Sequence, residues 1–497
     1  MGFTVVRGGR LLDLDRQEAP HRDILIEDGV IKEIGPPGLA APEGAEAIDA
    51  ASKLMHPGLI NGHTHSHGNL AKGTGGRWTL ELLLTAGPWI SGNRQTEEKY
   101  LSTLIGACEM VLKGCTACYD LMAEFPTPSV EGLQAVGKAY DDVGMRAVVA
   151  PMVADTSFFE AIPGLMDALP ASLQKEVERL RLAPYDVTLE NMAAIFKGWP
   201  MDRERIRPAI APTIPLHCSD DFMIGCRNLA HEAGLGIHSH VAESRVQAVS
   251  AIKRYGKTMT AHIDDLGLLG PDFVVAHGVW LDDDDMRRLA DNDSSVSHNP
   301  GSNALLGNGI AYARRMIELG VNLAIGTDGA SCCDNQNMYE SMRMASYVSH
   351  VRGPEWQHWL SPQEIVRAAT EGSARALGFD RIGRIQPGYH ADIVFLDLMA
   401  INWIPVNDPV NQIVHTEDGS SVDSVMIGGR MVVRDRKLVG IDLSRIAVQA
   451  EAACERLAEV NAPNRALYDK LESVVGSFCP GLARQPYHIH RFGAAPH

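Results

Sequence analysis

Five short stretches carry side chains able to share one metal ion: His63-Thr64-His65, His238-Ser239-His240 with Glu243 close behind, His277, His298-Asn299-Pro300 and Thr327-Asp328. Imidazole nitrogens with one carboxylate suit zinc or iron(II), and a catalytic site of this kind leaves one position open for water. In a strand, residues two apart face the same side, so His63 and His65 reach a single ion together. The chemistry implied is hydrolysis, because a bound water loses its proton near neutral pH and bulk water does not.

Most of these stretches come after a run that reads as a buried strand: 54–61 before the first pair, 235–237 before the second, 273–276 before His277 and 321–326 before Asp328. Parallel strands covered on both faces look like this, and their carboxyl ends open into one mouth. Helical stretches at 96–113, 130–143, 221–233, 282–291 and 361–377 alternate with the strands. The alternation predicts an α/β fold, a (β/α)8 TIM-like barrel over 61–384. Residues 1–60 and 385–442 alternate short apolar runs with turns and are expected to pair as a small β-sandwich built from both chain ends. Residues 443–497 read as a C-terminal helical extension with a loose tail after Pro480.

A chain of 497 residues, 45% hydrophobic and 22% charged, is long enough for such a barrel and an accessory domain. No apolar run reaches membrane-spanning length and the first residues lack the core of a signal peptide, so a cytoplasmic location is expected. The 45 basic and 62 acidic residues leave a net charge of −17, which disfavours nucleic acid, anionic membranes and polyanionic substrates. A small-molecule substrate, neutral or cationic, is the expected partner. Nine scattered cysteines have no disulfide-framework spacing. Cys115-x-x-Cys118 lies in an apparent buried strand with no second pair to complete a zinc site, and reads as core. Cys332-Cys333 sits where it can line a pocket beside Asp328.

The segments PGLINGHTH, IHSHVAES, VVAHGVWL, VSHNPGSN, LAIGTDGAS and IGRIQPGYHADIVFLD, in this order across residues 3–435, resemble the amidohydrolase superfamily. Within it they are similar to the branch of methylthioadenosine/S-adenosylhomocysteine deaminases, guanine deaminases and chlorotriazine hydrolases. The resemblance implies metal ligands His63, His65, His240 and Asp328, with one divalent ion, zinc or alternatively iron. One ion rather than two is expected because RPAIAPTIPLHCSDD offers no lysine or glutamate at its end to bridge a second. The implied reaction is attack of a metal-bound hydroxide on an aminated nitrogen heterocycle (purine, pterin, pyrimidine or triazine), with release of ammonia. The alternative is hydrolysis of an amide, urea or carbamate C–N bond, or dehalogenation, by the same hydroxide.

Glu243 resembles the family's proton shuttle. His277 would orient or polarise the hydroxide, and Asp328 would pass the water's proton to the departing amine. His238 reads as packing behind the ligands. Candidate substrate contacts are Trp78, His217, His298 and Asn303. Nucleoside-deaminating relatives tend to carry Arg-Gly where this chain has Lys72-Gly73, histidine where it has Thr213, and threonine where it has His217, departures that weigh against a nucleoside. The resemblance also implies a homodimer or higher homo-oligomer.

Overall fold

The structure, a computed structural model, describes residues 2–333 and 335–493. The chain opens with β1 (Phe3–Leu11), β2 (His21–Glu27), β3 (Val30–Gly35), β4 (Glu46–Asp49) and β5 (Lys53–Pro57). It continues with β6 (Leu59–Thr64), β7 (Cys115–Ala123), β8 (Arg146–Val153), β9 (Ile206–Pro208), β10 (Ala211–Pro212), β11 (Ile237–Val241), β12 (Phe273–His277), β13 (Ser295–His298) and β14 (Asn322–Ile325). The last strands are β15 (Ile393–Asp397), β16 (Val422–Ile427), β17 (Arg430–Arg434) and β18 (Lys437–Leu438).

The central strands form two parallel sheets, ordered β10-β8-β7-β6, with β9 beside β8, and β11-β12-β13-β14. Nearly every residue of β7, β8, β12 and β13 is buried, as expected for strands covered on both faces. A parallel bridge between Ile210 and Ile237 brings the two sheets together on one side. On the other, the Asp328 N–H donates to the His63 carbonyl at 2.9 Å. Helices cover the strands: Thr96–Leu112, Val130–Val143, Asp220–Ala233 and Asp283–Asp291 lie close to the stretches expected from sequence. The stretch 361–377 is helical throughout but passes through a π turn at Ala368–Gly372, where the Gly372 carbonyl accepts from Asn322 Nδ2 of β14 at 3.0 Å.

Both ends of the chain enter one nine-stranded sheet in the order β18-β17-β16-β15-β5-β1-β2-β3, with β4 beside β1. The join is the antiparallel pairing of β5 with β15, where Lys53 Nζ also reaches Asp423 at 2.7 Å. The apolar run 54–61, expected as one strand, is therefore two. The chain breaks at Gly58, where a Cβ would lie 2.1 Å from Thr116 Oγ1, and β5 and β6 depart into different sheets. Cys115 and Cys118 are buried in β7, and burial pushes the Cys115 thiol up to about 12.

Helices Leu443–Val460 and Ala462–Ala483 come after the sheet. Of the tail expected to be loose after Pro480, the described residues are held in place, and 494–497 lie outside the described residues. Pro480 lies inside the second helix, and residues 484–493 run back over the molecule, with Tyr487 packed on Trp280 and Arg491 only 7% exposed. Among the described residues, no helix is long and apolar enough to cross a membrane.

Candidate active site

The carboxyl ends of five parallel strands deliver the polar side chains. His63 lies in β6 and His65 just beyond it; His238 and His240 lie in β11; His277 ends β12, His298 ends β13, and Asp328 comes three residues after β14. The registers Val241↔His277 and His298↔Ile325 hold these ends level. His277 and Asp328 adopt φ of 72° and 67°, a left-handed backbone that is costly for residues with side chains and that clusters at functional sites. Gly326 lets β6 and β14 close on each other, since a Cβ there would sit 2.8 Å from both the nitrogen and the carbonyl oxygen of His63.

Hydrogen bonds fix which nitrogens face inward. His65 Nδ1 lies 2.5 Å from the Leu121 carbonyl and His240 Nδ1 lies 2.6 Å from the Thr213 carbonyl. A carbonyl only accepts, so each Nδ1 carries a proton and each Nε2 turns to the centre. The two Nε2 atoms are 3.2 Å apart, and Asp328 Oδ1 lies 3.1 Å from His65 Nε2 and 3.5 Å from His63 Nε2. Neither ring nitrogen of the fully buried His63 has a hydrogen-bond partner among the described residues. Lone pairs converging on one another and on a carboxylate, with a buried unpartnered imidazole among them, fit a divalent cation. Ligand atoms of His63, His65 and His240, and of His63, His277 and Asp328, lie within 4.8 Å of one another in each set.

The electrostatics divide two carboxyl groups. Burial alone would raise Asp328, but the imidazoles of His63 and His65, at 3.5 and 3.1 Å from Oδ1, overcome it and hold the carboxyl well below its usual range. Its Oδ2 also accepts from Ser302 Oγ at 2.6 Å. Glu243 goes the opposite way: burial first, then the charges of Asp328 and Glu81, push it well above its usual range. Asn308 Nδ2 donates to Glu243 Oε1 at 3.0 Å. His277 Nδ1 lies 2.9 Å from Asn303 Oδ1, while its Nε2 is 3.6 Å from Glu243 Oε2 and 3.7 Å from Asp328 Oδ2. Burial lowers His63 to about 3 and His240 well below the ordinary imidazole value. Burial would lower His65 as well, yet the adjacent Asp328 leaves it raised.

The model of the amidohydrolase family matches residues 54–432. The chain belongs to the amidohydrolase family. It is 32% identical over 446 residues to a 5'-deoxyadenosine deaminase of Methanothermobacter thermautotrophicus, covering 89% of this chain and 96% of that protein. Its fold is shared with an adenosine deaminase from Xanthomonas campestris with bound zinc, at a TM-score of 0.80 and 24% identity over 91% of this chain and 98% of the other. It is shared equally with a triazine hydrolase from Arthrobacter aurescens, at a TM-score of 0.81 and 23% identity over 91% and 100% of the two chains. In this amidohydrolase the His/Asp cluster brings together ligand atoms that could hold a divalent metal ion.

The remaining candidates occupy different places in this amidohydrolase. His238 is fully buried, its ring centroid 4.5 Å from that of Tyr119 and 4.9 Å from that of His63. His298 is buried with both ring nitrogens unpartnered among the described residues, and with Asn303 it lines a cavity. His217 is buried in the turn Pro215–His217, and burial with the Arg254 charge lowers it to about 4. Trp78 packs with Trp89 and Tyr468 of the C-terminal helix, at centroid distances of 6.0 and 5.9 Å. Lys72 pairs with Glu109. Sequence reasoning missed Asn308, Ser302 and the Leu121 and Thr213 carbonyls. Ser302 stood inside VSHNPGSN, where a hydroxyl near His298 was a usable signal, whereas a carbonyl leaves no mark in side-chain type.

Proposed function

We propose that this amidohydrolase uses one zinc ion, held by His63, His65, His240 and Asp328, to deaminate an aminated nitrogen heterocycle hydrolytically. The observation that carries the reading is the pair of carboxyl groups on either side of one imidazole, Glu243 Oε2 and Asp328 Oδ2 both within 4 Å of His277 Nε2, with burial pushing Glu243 above its ordinary range and the neighbouring imidazoles holding Asp328 below its own. When bound, the ion lowers the pKa of its water toward neutrality and supplies the nucleophile.

The chain does the rest. Glu243, whose carboxyl burial pushes toward the protonated form, gives its proton to a ring nitrogen as the ring carbon is attacked; Asn308 fixes Oε1, and Oε2 lies 3.6 Å from His277 Nε2. His277 donates from Nδ1 to Asn303, so its Nε2 is an acceptor, suited to orient an attacking water rather than to donate to an oxyanion. Asp328, anionic and fixed by Ser302, accepts the proton left on the attacking hydroxyl and passes it to the departing amine, while the first proton lost by the water replaces the one Glu243 gave to the ring. His298 and Asn303 stand beside this centre as contacts for ring heteroatoms. The named relatives, deaminases of 5'-deoxyadenosine and adenosine and a triazine hydrolase, support a flat aminated ring as substrate.

Strands β6–β14 form a closed barrel in this proposal, supported by the contacts that link β10 to β11 and β14 to β6. The nine-stranded sheet curls into a sandwich, supported by the shared core of Val6, Ile24, Met55, Ile393 and Met426.

The test is mass spectrometry of zinc-replete protein incubated with aminopurines, aminopyrimidines, pterins and aminotriazines, with Asp328→Asn as the blank. A product about one mass unit heavier, with ammonia released, is expected for hydrolytic deamination. Cleavage into two fragments, loss of halide from a chlorotriazine alone, or equal turnover by the blank would overturn the proposal.

A further inference from the structure

After the helix Ala462–Ala483, residues 484–493 run back against the segment 279–282 and the loop 308–310. Arg491 donates from Nε to the Val279 carbonyl at 3.1 Å and from Nη2 to the Leu281 carbonyl at 2.5 Å, in the segment directly after His277. The Arg491 carbonyl accepts from the Ile310 N–H at 2.7 Å. Gly309, with φ of 112°, lies so close beneath it that a Cβ would sit 2.9 Å from the Arg491 oxygen. The next residue toward the centre is Asn308, whose side chain holds Glu243 and whose carbonyl accepts from Trp280 Nε1 at 2.8 Å.

Further anchors secure the same segment. Tyr487 and Phe492 stack edge-on against Trp280 at 6.0 and 5.1 Å, His488 pairs with Asp282 at 2.7 Å, and Arg245 lies 5.4 Å over the Trp280 ring. Phe492 and Gly493 then form one wall of a cavity of about 160 Å³ whose other walls include His298, Asn303, Ile310 and Val348.

We propose that residues 485–493 are a strap that completes the active site: Arg491 is a positioning residue for Glu243, acting through the 308–310 loop, and Phe492 walls a subsite sized for a single ring. This rests on the deaminase reading. Removing the Arg491 guanidinium strips the Val279 and Leu281 carbonyls of their donor and frees the loop that carries Asn308. Cavities of roughly 150 Å³ accommodate a guest the size of benzene. A bare six-membered aminated ring thus fits behind Phe492, with the unpartnered nitrogens of His298 available to it, whereas a nucleoside has to displace the strap.

The experiment uses full-length, zinc-replete protein carrying Arg491→Met, Arg491→Lys or Phe492→Ala, with 2,4,6-triaminotriazine and 5'-deoxyadenosine as probes and circular dichroism to confirm folding. Arg491→Met is expected to lower kcat on both probes by about tenfold or more with little change in KM, because a displaced acid loses its alignment. Arg491→Lys, which restores one donor, recovers part of it. Phe492→Ala is expected to shift the KM ratio of triazine to nucleoside by about tenfold toward the nucleoside, the scale of a gained or lost pocket contact.

Wild-type kcat in Arg491→Met, or equal KM shifts for both probes in Phe492→Ala, would overturn the strap. Amide hydrogen exchange at 308–310 gives a readout independent of turnover. Faster exchange in Arg491→Met than in wild type is expected, and unchanged protection refutes the brace. A wild type that turns over neither probe nor any aminopurine, aminopyrimidine, pterin or aminotriazine, combined with faster exchange in the variant, would refute the deaminase reading and uphold the brace.

Discussion

Replacing Glu243 with glutamine tests the acid–base assignment and separates chemistry from stability. The substitution keeps the shape of the side chain: Gln Oε1 can still accept from Asn308 Nδ2, and the amide faces His277 Nε2, a lone pair to which it can donate. The substitution removes a transferable proton. General acid catalysis contributes about 10²–10⁴ in rate, or roughly 3–5 kcal/mol of barrier at 1.36 kcal/mol per decade. Ammonia release by zinc-replete Glu243→Gln should fall by that factor with KM little changed.

The same carboxyl affects stability with the opposite sign. Its folded pKa lies well above the ordinary 4.5, so the folded protein binds more protons than the unfolded chain, and wild-type stability declines as pH rises from about 4.5 through the folded value. Each tenfold difference in proton affinity between the folded and unfolded states is worth about 1.36 kcal/mol. In metal-stripped protein, Glu243→Gln should therefore match wild type at pH 4 and become the more thermostable of the two as pH increases. The alkaline limb of the wild-type rate profile, where Glu243 loses its proton, should disappear in the variant. Activity within threefold of wild type, or a melting-temperature difference that does not grow with pH, would refute the assignment.

Other substitutions in the metal cluster have equally definite outcomes. Asp328→Asn breaks the buried pair with His65 and should cost about 3–5 kcal/mol by urea unfolding of metal-free protein at pH 7. Because the Asp328 pKa is depressed, that deficit should vanish as pH falls through its folded value, and a deficit that persists in acid would contradict the pairing. Gly326→Ala drives a methyl into His63 and Asn299, so a loss of about 1–3 kcal/mol from overpacking should accompany loss of bound zinc by elemental analysis; normal zinc content would show that β6 and β14 are not so close. Adding zinc at 100 times its Kd should stabilise metal-free wild type by about 2.7 kcal/mol in thermal unfolding, and His63→Ala should abolish the gain; an equal gain in the variant would remove His63 from the ligand set.

The metal cluster was legible because its information is local. His63-x-His65 and the histidine pair of β11 carry strand geometry in their spacing, and the apolar runs before them state that both faces are covered. The break at Gly58 was illegible because its cause, Thr116 on a neighbouring strand, is 58 residues away in sequence. Trp78 is a candidate substrate contact in the sequence, but its aromatic neighbours Trp89 and Tyr468 come from two different helices, and only the fold brings the second near. Asn308 and Arg491 obey the same rule: each is an ordinary polar residue in sequence and gains its meaning from a backbone carbonyl or carboxyl supplied by a distant segment.

The pairing of β5 with β15 also bears on how the chain is made. The hydrogen-bonding edge of β5 is ready once residue 57 has left the ribosome, but its partner lies about 340 residues downstream. At about 5–20 residues per second, that edge waits roughly 20–70 s during synthesis, flanked by the apolar strands β1 and β2 and open to any other extended chain. The His/Asp cluster, whose members span residues 63 to 328, is thus translated in full before the sheet beside it can close. Slow translation or truncation between residues 330 and 390 should yield chains that carry every metal ligand and still aggregate through an unpaired N-terminal edge.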